Sequence, residues 1–147
     1  MKIDTKIYLS FLKEMIEQNM DVSIVISGNS MSPFLVNQRD VIYLSKINRK
    51  LKKGDLVLYQ RLSGQYVVHR IVKVKKSGYY LAGDNQIAIE GPILDKQIFG
   101  LVTKVKRKGK WIEAGNFWWE FFEHVWIWVV PWRMIILNNI KKFVKFK

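Results

Sequence analysis

The chain has 147 residues, enough for one domain with a hydrophobic core, and no cysteine, which excludes disulfides, thiolate metal sites and a cysteine nucleophile. Hydrophobic residues make up 49% and charged residues 25%, a composition that excludes a wholly disordered chain. The formal net charge of +13 predicts a polyanionic partner. We expect an anionic membrane surface rather than nucleic acid, because the C-terminal sequence carries a separate membrane signal.

The first element is an amphipathic helix, predicted over residues 5–18. Apolar side chains recur there at helical spacing, from Ile7 to Ile16, and Asp4 or Thr5 can cap the start. Charged residues interrupt residues 1–19, so an apolar signal-peptide core is missing and we expect no N-terminal membrane anchor.

The middle of the chain predicts a mainly β domain of short mixed or antiparallel strands. β-branched and aromatic residues alternate with polar ones, and Gly54-Asp55, Ser63-Gly64, Ser77-Gly78 and Lys108-Gly109 mark turns between them. The predicted strands cover residues 22–26, 40–44, 55–60, 66–75, 79–81 and 99–106. We divide the chain into a helix (1–20), a β domain (21–115) and a C-terminal segment (116–147).

The C-terminal segment predicts aromatic and basic helices that lie on a membrane surface. Five of the six tryptophans lie between residues 117 and 132, and four lysines occur after residue 140. The charge-free stretch between His124 and Arg133 is too short to span a bilayer, and Pro131 interrupts it. We therefore predict an interfacial segment, with Trp126 and Trp128 at the apolar boundary. The alternative is a helix packed on the protein's own core.

A candidate nucleophile follows the first predicted strand. In Ser27-Gly28-Asn29-Ser30-Met31-Ser32-Pro33, Gly28 permits a sharp turn and Pro33 restrains the backbone beyond it. Such a turn can present a serine hydroxyl to a cleft, with backbone N–H groups nearby for an oxyanion. Taken alone, a Ser/Gly/Asn/Pro cluster is usually just a loop.

A candidate base, His69, lies within the predicted strand 66–75. An imidazole is the usual base for a serine hydroxyl, although a lone histidine on an apolar face is often only a core residue. Two carboxylates downstream, Asp84 in Ala82-Gly83-Asp84-Asn85 and Glu90 before Gly91-Pro92, could each orient the ring.

Together the motifs resemble the signal peptidase I superfamily. The pattern is Ser-Gly-x-Ser-Met-x-Pro at 27–33, Gly-Asp-x-Val at 54–57, Val-His-Arg-Ile at 68–71 and Gly-Asp-Asn at 83–85. The resemblance covers about residues 22–106. Because histidine rather than lysine precedes Arg70, the chain resembles the endoplasmic-reticulum and archaeal subtype of this superfamily. It would be a small form of that subtype without an N-terminal membrane anchor.

The resemblance implies a serine endopeptidase that cleaves an extended precursor or leader peptide after small residues. Ser30 matches the nucleophile, His69 the base, and Asp84 or Glu90 the acidic third member. Gly28, Asn29, Met31 and Pro33 would shape the substrate-binding loop. No cofactor and no metal are implied.

Three further expectations concern the surroundings of the protein. Its partners would be the precursor, an anionic membrane surface and an exporter or maturation partner, with nucleic acid disfavoured. It would be peripheral at the cytoplasmic face of a membrane. One alternative is a self-cleaving repressor-like peptidase domain, because Ala114-Gly115 resembles the dipeptide that such proteins cleave. The other is a non-catalytic membrane- or nucleic-acid-binding module on the same fold.

Overall fold

A computed structural model describes residues 5–86 and 88–127. The helix α1 (Thr5–Glu17) precedes the strands, and after them α2 (Phe117–Glu120) continues into a π-helical turn, Phe121–Val125; a 3₁₀ turn spans Asp95–Gln97. The strands are β1 (Val22–Val25), β2 (Val41–Ser45), β3 (Leu56–Gln60), β4 (Tyr66–Lys75), β5 (Gly78–Ala82), β6 (Glu90–Ile93), β7 (Ile98–Arg107) and β8 (Lys110–Glu113).

All strand pairings in the described residues are antiparallel, which confirms the predicted mainly β class. The sheet order is β1-β2-β7-β3-β4-β5-β6, and β8 pairs with the end of β7. The predicted helix and the strands β1–β5 and β7 agree with the structure to within one or two residues. Strands β6 and β8 were not predicted, since each has only four residues and β6 contains Gly91-Pro92.

The long strand β4 changes partner halfway along its length. Residues 66–70 pair with β3, with His69 opposite Val57, whereas pairing with β5 begins at Arg70. Within the described part of the chain, the segment before Arg70 therefore has a strand neighbour on one side only. The opposite side of this half-strand is left open for the cleft described below.

Both faces of the sheet are covered at β3, where four consecutive residues are buried. On one face Leu58 packs with Ile42 and Val105, and with Ile16 from α1. On the other face Val57 and Tyr59 pack with Ile71 and Leu81. The side chain of His69 belongs to this second face because it is paired with Val57.

The start of the C-terminal segment packs into the core of the β domain. Asn116 caps α2, and Phe122 lies 4.8 Å from Phe34 between ring centroids. Trp126 is buried, and its indole N–H donates a 2.7 Å hydrogen bond to the carbonyl oxygen of Asp84. The expectation that Trp126 lies at a membrane boundary was therefore wrong, because its ring fills the core. Trp128 and the C-terminal basic residues lie outside the described residues.

No helix among residues 5–86 and 88–127 combines the length and apolar character needed to cross a bilayer.

Candidate active site

The loop that carries Ser30 is held by its own apolar side chains. Ser30 is half-buried, while Met31, Phe34 and Leu35 just after it are buried in the core. Gly28 has a φ of +88°, and its N–H donates to Oδ1 of Asn37 across the loop at 2.9 Å. The chain thus reverses direction at Gly28 and is anchored immediately after Ser30, which restricts where the hydroxyl can lie.

The Gly83-Asp84-Asn85 segment packs directly on the backbone of Ser30. The N–H of Asn85 donates to the carbonyl oxygen of Ser30 at 2.9 Å. A Cβ atom at Gly83 would overlap that same oxygen. The glycine is required here for close approach of two backbones, so the motif contributes to placing the candidate nucleophile.

Arg70 joins three of the sequence motifs in one buried network. Its Nε and Nη2 donate to the two carboxylate oxygens of Asp84, each at 2.9 Å, and its Nη1 donates to the carbonyl oxygen of Gly54 at 2.9 Å. The Arg70 and Asp84 side chains are 3% and 0% exposed, so the pair is fully shielded from water. Such a bidentate pair is geometrically specific, and it occupies the Asp84 carboxylate.

Ser30 and His69 line the same cleft, which has a volume of about 510 Å³. Gly28 and Met31 also line it, whereas Asn29 and Pro33 are not among its lining residues. Within the described residues no hydrogen bond links Ser30 to His69, and the ring contacts the hydroxyl of Tyr59 instead. Apo sites often hold such pairs apart until substrate binds.

The ring of His69 is oriented by a tyrosine. Its Nδ1 lies 3.1 Å from the hydroxyl of Tyr59, which itself donates a 2.9 Å hydrogen bond to Oε2 of Glu90. A tyrosine hydroxyl has one proton, so its oxygen must accept from His69. The proton of the neutral imidazole therefore lies on Nδ1, and Nε2 carries the free lone pair that a general base needs.

Glu90 is held in turn by Arg61, whose Nε lies 2.7 Å from Oε1. Burial, the largest cause, and the Arg61 charge lower the pKa of His69 to about 4, although the Glu90 and Asp84 charges act in the opposite direction. Burial and the bond to Glu90 raise the pKa of Tyr59 well above its usual range. At neutral pH the network therefore holds a neutral imidazole and a neutral phenol.

The sequence predictions missed Tyr59 and Arg61. Both belong to the sequence Leu58-Tyr59-Gln60-Arg61, which reads as the end of a half-buried strand. The one feature that could have identified Tyr59 is its place in the sheet, since it is diagonal to His69 on the paired strands β3 and β4. The sequence leaves Asp84 and Glu90 as two candidates for the acidic third member. In the structure the two carboxylates have different partners, since Asp84 accepts from Arg70 and Glu90 accepts from Tyr59.

A second cluster of ionisable residues lies on the C-terminal turn. Oxygen or nitrogen atoms of Glu120, Glu123 and His124 lie within 4.8 Å of one another, a spacing that could hold a metal ion. Glu123 already contacts Nζ of Lys52 at 3.3 Å, and His124 contacts Glu120 at 3.0 Å. The members of the cluster thus already have partners, and none of them lines the cleft.

The described strands form an antiparallel β domain in which Ser30 and His69 line one cleft. The Peptidase S24-like family matches residues 2–103, and the chain belongs to this family. Searches of curated proteins and of solved structures gave no match. Family membership supports a peptidase-fold domain of the serine type within the S24 and signal peptidase I-like superfamily.

Proposed function

We propose that this protein is a serine endopeptidase of the signal-peptidase type, in which Ser30 is the nucleophile and His69 the general base. It would belong to the Ser/His subtype that the Val-His-Arg-Ile motif resembles. The observation that carries the proposal is the contact of His69 Nδ1 with the Tyr59 hydroxyl, which itself donates to Glu90. It leaves Nε2 as the basic nitrogen for a serine on the same cleft.

The proposed reaction begins when an extended peptide fills the cleft and brings Ser30 Oγ within reach of Nε2. His69 takes the hydroxyl proton as Oγ attacks the scissile carbonyl, and a tetrahedral intermediate forms. The imidazolium then donates this proton to the leaving amine. The resulting acyl-enzyme is hydrolysed by water, activated by the same Nε2, and Ser30 is regenerated.

Glu90 supplies the negative charge that stabilises the imidazolium, acting through Tyr59 rather than by direct contact. The Nδ1–H bond to the phenol oxygen strengthens when the ring is charged, because the phenol is polarised by the carboxylate. In this proposal Glu90 is the acidic third member, and Asp84 maintains the fold by pairing with Arg70.

The proposal of an extended substrate is supported by the two strand edges that border the cleft. β1 is an edge strand of the sheet, and Ile24, Val25 and Ile26 line one side. Tyr66, Val67 and Val68, from the half of β4 with one strand neighbour, line the other. A peptide could add main-chain hydrogen bonds to either edge. Such pairing recognises backbone, and the apolar wall formed by Met31, Ile42 and Leu58 would select small apolar side chains.

The self-cleaving alternative makes a different prediction. Ala114-Gly115 lies on an exposed turn after β8 and is not among the residues that line the cleft. Incubation of the wild-type chain should leave its intact mass unchanged. Cleavage at this dipeptide in wild type, but not in Ser30→Ala, would favour the alternative.

The test of the proposed function is covalent labelling. Wild-type protein should react with a fluorophosphonate or a β-lactam-type acylating probe, and peptide mapping should place the adduct on Ser30. Ser30→Ala should not react, while Ser32→Ala, two residues along the same loop, should react as wild type does. A wild-type protein that stays unlabelled at neutral pH, or labels equally in Ser30→Ala, would favour the non-catalytic binding module.

The expected surroundings of the enzyme remain part of the proposal. The substrate would be a precursor or leader peptide, and an exporter or maturation partner would deliver it. Residues 128–147 would attach the domain to an anionic membrane surface, peripherally at the cytoplasmic face. The high positive charge and the tryptophans and lysines of this segment support that attachment.

A further inference from the structure

A second cavity, larger than the cleft, has a volume of about 870 Å³ and shares no lining residue with it. Four lysines line this cavity: Lys50, Lys52, Lys53 and Lys73. The first three lie on the loop before β3 and the fourth lies on β4. We call this cavity the lysine pocket.

The lysine pocket has a positive charge that its surroundings only partly offset. Among the described residues no Asp or Glu lines it, and Lys52 forms an ion pair with Glu123 at 3.3 Å. The Lys50 and Lys73 side chains are exposed at the rim. Four ammonium groups around one concavity raise the local concentration of anions, and of phosphate groups in particular.

The remainder of the lysine pocket is aliphatic. Leu51, Val72 and Ile127 are buried beneath it, while Val74 and Ile89 are 43% and 52% exposed. Of the described residues that line the pocket none is aromatic, although nucleic acids bind preferentially where bases can stack on rings. Ammonium groups above an aliphatic floor match the chemistry of a phospholipid, whose phosphate adjoins a glycerol and acyl chains.

The position of the lysine pocket in the chain points to the same ligand. Ile127 lines the pocket, and the 20 residues that follow it contain no Asp or Glu but include Arg133, four lysines and two tryptophans. A basic segment cannot neutralise the pocket lysines. An anionic bilayer would provide complementary charge for both basic elements together.

We propose that the lysine pocket binds the headgroup of an anionic phospholipid in a bilayer. The phosphate lies among the lysine ammonium groups, and the glycerol and upper acyl carbons contact Val74 and Ile89. Stable attachment to a membrane takes two weak signals, and the pocket and the C-terminal segment supply one each. This binding does not depend on the reactivity of Ser30.

The test measures co-sedimentation of the full-length protein with phosphatidylcholine vesicles, with and without phosphatidylglycerol. Wild type should bind only the anionic vesicles, and binding should weaken as salt is raised. Lys50→Glu/Lys73→Glu should lower the partition coefficient at least about tenfold, since each lysine near an anionic surface contributes several-fold. Lys106→Glu/Lys110→Glu, on β7 and β8, makes the same change in net charge and is the matched control.

A second variant removes apolar contact at constant charge. Val74→Thr/Ile89→Thr changes two exposed side chains, so the fold should persist, and binding should fall several-fold. Circular dichroism verifies folding of every variant. Equal losses in the pocket and control variants would show a non-specific charge effect and overturn the proposal. So would unchanged vesicle binding in the pocket variants, or tighter binding to RNA than to anionic vesicles. Labelling at Ser30 should stay at the wild-type level in all variants.

Discussion

The hydroxyl of Tyr59 lies 3.1 Å from Nδ1 of His69, and the same hydroxyl donates to Glu90. A phenol thus stands where a carboxylate was expected to contact the imidazole. Because the phenol donates its proton to Glu90, it can only accept from the ring, and the tautomer of His69 follows. This relationship gives Tyr59 a positioning role that can be tested apart from catalysis.

Replacing Tyr59 by Phe removes the acceptor for Nδ1–H while preserving the ring. We expect the rate of Ser30 labelling to fall about 100-fold, comparable with the lower range of general-base contributions. In ¹⁵N spectra, wild-type His69 should show a protonated Nδ1, and the variant should show a mixture of tautomers. Tyr43→Phe, which removes a hydroxyl bonded to exposed Asp21, is the control. An unchanged His69 spectrum in Tyr59→Phe would contradict the positioning role.

The two candidate carboxylates should behave differently when neutralised. Asp84→Asn leaves the Arg70 guanidinium buried with a weakened partner, and we expect a loss of about 3–5 kcal/mol in the free energy of unfolding. Urea unfolding measures this loss.

Glu90→Gln changes a side chain that is 30% exposed, so its effect on stability should be small, about 1 kcal/mol or less. It should nevertheless slow the labelling of Ser30 about tenfold or more, since the imidazolium loses its counter-charge. If Asp84→Asn were fully stable and inactive while Glu90→Gln labelled normally, the two roles would be reversed.

Gly83→Ala should displace the candidate nucleophile. The added Cβ would overlap the Ser30 carbonyl oxygen, so one of the two backbones must move, at a cost of about 2–3 kcal/mol in unfolding free energy. Labelling of Ser30 should fall as well. Gly109→Ala has only the cost of its φ of +83°, with no atom within 4 Å of the new Cβ, and should lose about 1 kcal/mol with normal labelling. Equal effects of the two substitutions would argue against the close approach.

The pH dependence should reflect the lowered pKa of His69. With a folded-state pKa of about 4, the ring stays neutral through mildly acidic pH, so labelling should hold nearly constant as pH falls from about 7 to about 5 and should decline towards 4. A decline centred near the ordinary histidine value, about 6.5, would show that the ring is not shielded in solution.

The free energy of unfolding should also depend on pH between about 6.5 and 4, and it should fall as the pH falls. In the unfolded chain His69 takes up a proton below about pH 6.5, whereas the folded protein binds it only near pH 4. Between these values the unfolded state binds more protons, so the unfolding free energy should fall as pH falls. His69→Gln should remove this component. Urea unfolding gives the free energy of unfolding of both proteins at each pH, and the difference between their pH dependences separates the His69 contribution from that of the carboxylates.

Because the start of the C-terminal segment packs into the core, we expect Trp126 to contribute to the free energy of unfolding of the domain. Trp126→Ala removes a buried ring and the indole donor to the Asp84 carbonyl, and should cost about 3–5 kcal/mol of unfolding free energy. Trp118→Ala, which truncates a side chain that is 46% exposed, should cost about 1 kcal/mol or less. Thermal unfolding compares the two, and equal shifts would contradict the core position of Trp126.

Local sequence was sufficient to predict α1, six of the eight described strands, and Ser30 and His69 as candidates for the site. The spacing of Ile7 to Ile16 encodes α1, and the alternation in residues 66–75 encodes β4, because both depend on neighbours a few residues apart. The motifs around Ser30 and His69 likewise lie within short segments. The strands β6 and β8 were missed because four residues provide too little periodicity.

Only the tertiary structure decided the partners of those candidates. The bonds from Tyr59 to Glu90, from Arg70 to Asp84 and from Trp126 to Asp84 join residues 31, 14 and 42 positions apart. Periodicity contains no information on such contacts, since they depend on strand register and on which half of β4 each neighbour pairs with. Sequence therefore determined which side chains could carry the chemistry, and packing determined that Asp84 pairs with Arg70 while Tyr59 and Glu90 face His69.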